Sequence, residues 1–261
     1  MPSPTAPDSS VTRLFARRAT LRRSAGLLSS FRFEQSAPDK FYGGLARDTV
    51  DLIGDLHTGA TGTGLAGTTV VDVGGGPGYF ADAFNAVGAR YVPIEPDPSE
   101  MHAAGLRVGG AIRGSGLALP LRDGSVDVCF SSNVAEHVPA PWVMADEMLR
   151  VTRPGGLMVL SYTLWWGPFG GHETGPWHAF GGEYAARRYA RKHGHEPKNR
   201  YGQSLFEVGA ADGLRWARSS TEGTLLAAFP RYHPRWAWWL VKVPWIREIL
   251  VSNLVLVMQR R

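Results

Sequence analysis

The run Val70–Phe80, VVDVGGGPGYF, constrains the fold of this chain more than any other stretch. Val70, Val71 and Val73 surround Asp72 in a buried-strand pattern that breaks into Gly74, Gly75, Gly76, Pro77 and Gly78. Glycines in such number cost backbone entropy, so a chain that keeps them needs a tight turn or the close approach of something to bare backbone. A strand passing through such a turn into a helix presents unpaired N–H groups and the positive end of the helix to a ligand.

The neighbouring sequence has the matching alternation. Leu45–Leu56 has helical spacing, Thr69–Val73 reads as a strand, Tyr79–Val87 as a helix and Tyr91–Glu95 as a strand. Pro98–Gly105 reads as a helix with Asp97 or Ser99 as its cap. Val126–Ser131 is a further strand, followed by a helix at Trp142–Val151 that Arg153-Pro154-Gly155-Gly156 stops, and by a strand at Leu157–Tyr162. Strands alternating with helices of this length predict an α/β fold, a mostly parallel sheet covered on both faces. Gly223–Phe229 and Leu250–Met258 are two more strands without a long crossover helix between them, a connection that suits an antiparallel pair.

In an open parallel sheet ligands bind beyond the carboxyl ends of the strands. Asp72 lies near one such end and Glu95 at the next, where a carboxylate can accept from two ribose hydroxyls. A glycine loop followed by a strand-end acid is an adenosine-binding arrangement. The spacing Asp72-x-Gly74-x-Gly76-x-Gly78 departs from the dinucleotide pattern Gly-x-Gly-x-x-Gly and resembles motif I of the class I S-adenosylmethionine-dependent methyltransferases. Ile94-Glu95-Pro96-Asp97, Leu119–Val128, Ser132–Val138 and Leu149–Gly156 resemble later motifs of that family, in order, and Asn253–Met258 resembles its terminal strand.

The resemblance covers about residues 40–162 and resumes near residue 205. It implies a Rossmann-like, seven-stranded, mostly parallel sheet with an antiparallel last strand, and S-adenosyl-L-methionine as cofactor with S-adenosyl-L-homocysteine as product. By position it implies that Gly74, Gly76 and Gly78 hold the methionyl part, that Asp72 orients the loop and a bound water, and that Glu95 takes the ribose. Where the family has an acid for the adenine amino group this chain has Gly114-Ser115-Gly116, so Ser115 and Gly116 stand in its place. Asn133 falls by the methionyl amino group and Tyr42 is a candidate lid residue. A non-methyltransferase Rossmann-like protein remains the alternative.

Methyl transfer from a sulfonium is an in-line displacement, so the gain comes from alignment and, for an alcohol acceptor, from removing a proton. His137, just past the fourth parallel strand, is the candidate base, and a structural role at the start of the next helix is the alternative. Residues 163–206, rich in Gly, Trp, His, Arg and Lys, read as a substrate lid inserted over the sheet's carboxyl edge. His172, Glu173 and His178 there have the spacing of neither a zinc-protease helix nor a structural zinc site, so no metal is expected. Arg187, Arg188 and Arg191 share a predicted helix at Glu183–Lys192 that suits an anionic or polyhydroxylated acceptor, or is a solvated face.

The domain reading is a basic extension over residues 1–40 and a methyltransferase domain over 41–261. Residues 1–10 are Pro/Ser-rich and expected to be disordered. The single cysteine, Cys129, lies inside a strand and reads as core, which leaves no disulfide framework and no base-C5 nucleophile. The formal net charge of +5 admits nucleic acid or an anionic membrane as a partner. Ser132-Asn133-Val134-Ala135 stands where amine-directed nucleic-acid methyltransferases carry an Asn/Asp-Pro-Pro-aromatic run, which argues against base methylation.

The arginines between Arg13 and Arg32, and the tryptophans at 236, 238, 239 and 245 beside Arg231, Arg235 and Lys242, have the composition of a membrane interface. Helices packed on the domain have it too. No apolar segment is long enough to span a bilayer, and the N-terminus has no signal-peptide core. The combined expectation is a cytoplasmic protein, peripheral at the inner membrane face, that methylates oxygen, or less readily nitrogen, of a small or lipid-linked acceptor. The whole chain also resembles a group of methyltransferases of mycolate-containing bacteria, which implies envelope glycolipid metabolism. The rivals are an RNA methyltransferase and a non-catalytic cofactor-binding or membrane scaffold.

Overall fold

The computed structural model describes residues 10–30, 38–102 and 109–261. The Pro/Ser-rich start to residue 9, the end of the basic stretch from Phe31 and the helix end expected at Gly105 lie outside the described residues. In chain order the elements are α1 (Arg13–Arg18), α2 (Leu21–Ser30), α3 (Pro38–Thr61), β1 (Thr69–Val73), α4 (Ala81–Ala86), β2 (Arg90–Glu95), α5 (Pro98–His102), β3 (Ile112–Arg113), β4 (Val126–Ser132) and α6 (Pro141–Val151). They continue with β5 (Thr152–Thr163), α7 (Gly182–His193), α8 (Ala210–Ser219), β6 (Gly223–Pro230), α9 (Ile246–Leu250) and β7 (Asn253–Arg260). Asp97 is the cap of α5, accepting from the Ser99 N–H at 2.8 Å.

One seven-stranded sheet has the order β3-β2-β1-β4-β5-β7-β6. β1 to β5 run parallel, and β7 is antiparallel to both β5 and β6. The chain therefore turns outward in both directions from β1. The strand Leu250–Met258 expected from sequence is displaced to Asn253–Arg260, because residues 246–250 make the last turn of helix before the sheet. β3, only two residues long, offers too short a pattern to be read.

Residue alternation along the buried strands divides the core in two. One face joins Val71, Val73, Ile94, Cys129, Met158 and Leu160 to α6 and α8. The other joins Val70, Tyr91, Val128, Phe130, Val159 and Val257 to α1, α3 and α4. Cys129 is buried in the first of these, as expected of a core residue.

Residues 11–19, within the basic extension that suited either a membrane face or packing on the domain, are part of the second core. Phe15 is fully buried, with its ring 5.7 Å from Phe229 and 6.2 Å from Trp238. A buried phenylalanine contributes roughly 1.5–3 kcal/mol. The arginines on the other side meet acids of α3: Arg18 pairs with Asp51 and Asp55, and Arg23 grips Asp48 with two bonds of 2.6 and 2.8 Å. The apolar stripe of α1 is thus occupied by protein. Arg13, Arg17 and Arg22 stay exposed. Among the described residues no helix is long and apolar enough to cross a membrane.

Candidate functional site

The carboxyl ends of β1, β2, β4 and β5 meet the start of β7 and the end of β6 along one edge, because β7 runs against its neighbours. At the β1–β2 end of this edge, Gly74, Gly76 and Gly78 all have positive φ, at 79°, 52° and 82°. A Cβ on Gly74 would stand 2.5 Å from a methyl of Val134. On Gly76 it would meet nothing within 4 Å. Glycine at 74 is therefore required by packing as well as by backbone, whereas at 76 the loop offers bare backbone to open space.

Glu95 joins the two strand ends by accepting from the N–H groups of Gly76 and Asp97, each at 3.2 Å. Its carboxyl is half-buried, and burial raises its pKa against those two hydrogen bonds. Asp72 is buried and accepts from the Tyr91 hydroxyl at 2.6 Å. Burial pushes its pKa up to about 7, and the charge of Glu95 adds to the rise. The Asp72 side chain would lie 3.2 Å from a Cβ on Gly75, so it sits directly beneath the loop, where its hydrogen-bonding partner is a tyrosine. Tyr42 of α3 stacks on Tyr79, just past the loop, with ring centroids 4.2 Å apart.

Ser115 is exposed beyond β3, its hydroxyl accepting from the Leu117 N–H at 3.2 Å. Gly116 is held by packing, since a Cβ there would crowd Met144 and Val73 at 3.0 and 3.1 Å. Asn133, also at positive φ, follows β4. Its amide donates to the Tyr232 hydroxyl at 3.3 Å and accepts from Asn253 at 2.7 Å.

Arg231 was read from sequence only as a basic neighbour of the tryptophans; among the described residues it is the largest fully buried side chain. From the end of β6 it donates to Ser132 at 2.5 Å, to Ser161 at 3.3 Å and to Thr49 at 2.7 Å, and Asp48 lies 3.9 Å away. Arg23 of α2 donates to its carbonyl at 3.0 Å. Nothing in local spacing marks these partners, which come from four separate segments, α2, α3, β4 and β5. The tryptophans likewise divide. Trp238 is buried and stacks on Phe229 at 4.4 Å, while Trp236, Trp239 and Trp245 are 71%, 48% and 84% exposed.

His137 ends a short turn of 3-10 helix after β4. Its Nδ1 lies 2.6 Å from the Ser204 carbonyl oxygen, so Nδ1 carries the proton and Nε2 presents a lone pair. The ring meets His172 edge-on at 5.0 Å. Glu136 beside it is buried. One of its oxygens accepts from the Thr163 N–H at 3.2 Å. Of the other polar candidates in residues 163–206, Glu173 is taken up by Asn199 and His178 is buried against Trp165. Arg188 lies over the ring of Trp177 at 3.9 Å, and His193 and His195 gather round Tyr189. Of the histidines singled out in the insertion, only His172 reaches the end of β4.

The family model of the methyltransferase domain matches residues 71–160. A protein of Mycobacteroides abscessus described as an uncharacterized methyltransferase is 66% identical over 258 residues, covering 96% of this chain and 99% of its own. One of Mycobacterium marinum with the same description is 64% identical over 255 residues, covering 96% and 99%. Among solved structures, geranyl diphosphate C-methyltransferase of Streptomyces coelicolor, with S-adenosyl-L-homocysteine bound, superimposes with a TM-score of 0.50 at 15% identity, covering 80% of this chain and 75% of its own. At that identity the likeness is one of fold.

Proposed function

The chain belongs to the family of these mycobacterial methyltransferases, S-adenosylmethionine-dependent enzymes of Rossmann-like class I fold, and we propose that it methylates an oxygen of a small or lipid-linked acceptor at the carboxyl edge of the sheet. The observation that carries this reading is the loop Gly74–Gly78, with its bare backbone at Gly76 beside the Glu95 carboxylate. The fit to an adenosyl sulfonium is chemical. Loop N–H groups suit the methionyl carboxylate, and Glu95 can exchange its bond to Gly76 for the two ribose hydroxyls. Asn133 would supply an amide oxygen for the methionyl amino group, and Ser115 an exposed hydroxyl for the adenine. When bound, the cofactor supplies the methyl group and takes back the C–S electron pair as a neutral thioether.

The chain's own work is to orient, to exclude water and to accept a proton. The Tyr42–Tyr79 stack, just past the loop, supports a lid role for Tyr42. The Ser204 carbonyl fixes the His137 tautomer that can take a hydroxyl proton at Nε2. The lipid-linked class is favoured by Trp236, Trp239 and Trp245, exposed on a connection that leaves and rejoins the sheet at this edge. Such a face suits a protein resting on an anionic membrane in the cytoplasm. Envelope glycolipid metabolism is the proposed setting, on the resemblance of the sequence to methyltransferases of mycolate-containing bacteria.

Calorimetric titration with S-adenosylmethionine tests the cofactor. We expect micromolar affinity that falls at least about 100-fold in Gly76→Val and about 10-fold or more in Glu95→Ala. Undiminished binding in both variants would remove the loop from the site.

A further inference from the structure

We propose that Glu136, His137 and His172 form a binding site for one divalent transition-metal ion. One ligand atom of each lies within 4.8 Å of those of the other two. Both histidines are set up as ligands. Nδ1 of His137 donates to the Ser204 carbonyl at 2.6 Å, and Nδ1 of His172 lies 3.3 Å from the Gly170 carbonyl. A backbone acceptor on Nδ1 leaves Nε2 as the coordinating nitrogen and fixes the ring orientation.

Glu136 provides the independent observation. It is 1% exposed; one carboxylate oxygen is satisfied by the Thr163 N–H, and the other, Oε2, is buried with no hydrogen-bond partner. A buried carboxylate oxygen left without a partner is costly, and a cation between it and two imidazoles removes that cost. Two imidazoles and one carboxylate suit zinc, iron(II) or manganese, whereas magnesium and calcium prefer oxygen donors throughout. Bonds of about 2.0–2.1 Å need donor atoms roughly 3.3 Å apart in a tetrahedron, so the cluster has to close by at most about 1.5 Å. His172 is only half-buried, on the inserted segment, and can make that movement.

The three ligands leave at least one coordination position open. The site also lies where both ends of the insertion attach: the Phe206 N–H donates to the Glu136 carbonyl, and the Glu136 side chain holds Thr163. An ion here would fasten the insertion to β4 and could take the acceptor hydroxyl in its open position, lowering the hydroxyl pKa so that its proton leaves to solvent. His137 Nε2 would then serve as a ligand in place of acting as the base. That last role rests on the methyl-transfer reading; the binding itself does not.

The test is titration of chelator-treated full-length protein with cobalt(II), followed by its visible absorption, with zinc then used to displace it. We expect one equivalent bound in a four- or five-coordinate spectrum, and at least a tenfold loss of affinity in both His172→Ala and Glu136→Gln. Because Glu136 is buried, His172→Ala, at a half-buried position, decides the question alone where Glu136→Gln fails to fold. No spectrum at one equivalent, an unchanged one in His172→Ala, or loss in a His193→Ala/His195→Ala control would overturn the site. S-adenosylmethionine titration of the same metal-free protein reports separately on the methyl-transfer reading.

Discussion

At the β1–β2 end of the carboxyl edge, what faces outward is chiefly backbone: three glycines at positive φ, their N–H groups, and one carboxylate tied to them. At the β5–β7 end the same edge is walled by side chains. Arg231, Ser132, Ser161, Asn133, Asn253 and Tyr232 bond one another there, with Glu136, His137 and His172 alongside. The first arrangement is made by one strand–turn–helix unit and the end of the strand that follows it, and needs little from the rest of the chain. The second exists only once residues far apart in sequence, by 182 positions in the bond of Arg231 to Thr49, have come together. The contrast fits a half that holds the constant part of a reaction and a half that is free to specialise.

The contrast breaks most visibly at Arg231. Arg231→Ala should cost about 3–5 kcal/mol in urea unfolding, because it opens a cavity and strips three hydroxyls of their shared donor. A loss under about 1 kcal/mol would mean that the wall does not depend on its arginine.

Asp72→Asn probes the backbone end. With its folded pKa raised to about 7, Asp72 holds its proton in the folded protein over a range where the unfolded chain has released it. The folded state therefore binds more protons between about pH 4 and 7, and the wild-type loses stability as pH rises through that window. The asparagine variant lacks this loss while keeping an acceptor for Tyr91. Its stability relative to wild type should improve from pH 5 to pH 8 by an amount on the order of a few kcal/mol, read from denaturant midpoints. A difference independent of pH would show that Asp72 is ionised throughout.

The smallest effect on stability is expected at the exposed tryptophans. The double variant Trp236→Ser, Trp245→Ser should change stability by less than about 0.5 kcal/mol per site, since both side chains are mostly exposed. It should nonetheless weaken sedimentation with anionic lipid vesicles, and unchanged sedimentation would count against a membrane-facing edge.

Sequence was most informative where the physics is local. Gly74, Gly76 and Gly78 follow a buried strand and precede a helix, so their role in the turn could be read before any fold was known. The choice of cap was narrowed to Asp97 or Ser99 and Cys129 was legible as core for the same reason, while the antiparallel end of the sheet showed in the want of a long crossover helix. The basic stretch from Arg13 was ambiguous, because an amphipathic helix looks alike whether a bilayer or Phe229 and Trp238 covers its apolar side. His172 was visible in the sequence only as one of three polar residues of the insertion whose spacing pointed to no metal site. Glu173 and His178 are its neighbours in sequence, yet the groups it meets are Glu136 and His137, brought there by the return of the insertion to the end of β4.

By itself, then, the sequence determined the alternation of strands and helices, the glycine turn and the strand-end acid, because each depends on backbone conformation over a few residues. The tertiary structure decided which arginines are exposed and which is buried, which tryptophans pack, and which carboxylate meets which imidazole. Those outcomes depend on desolvation and on contacts between distant segments, and neither exists until the chain has closed on itself.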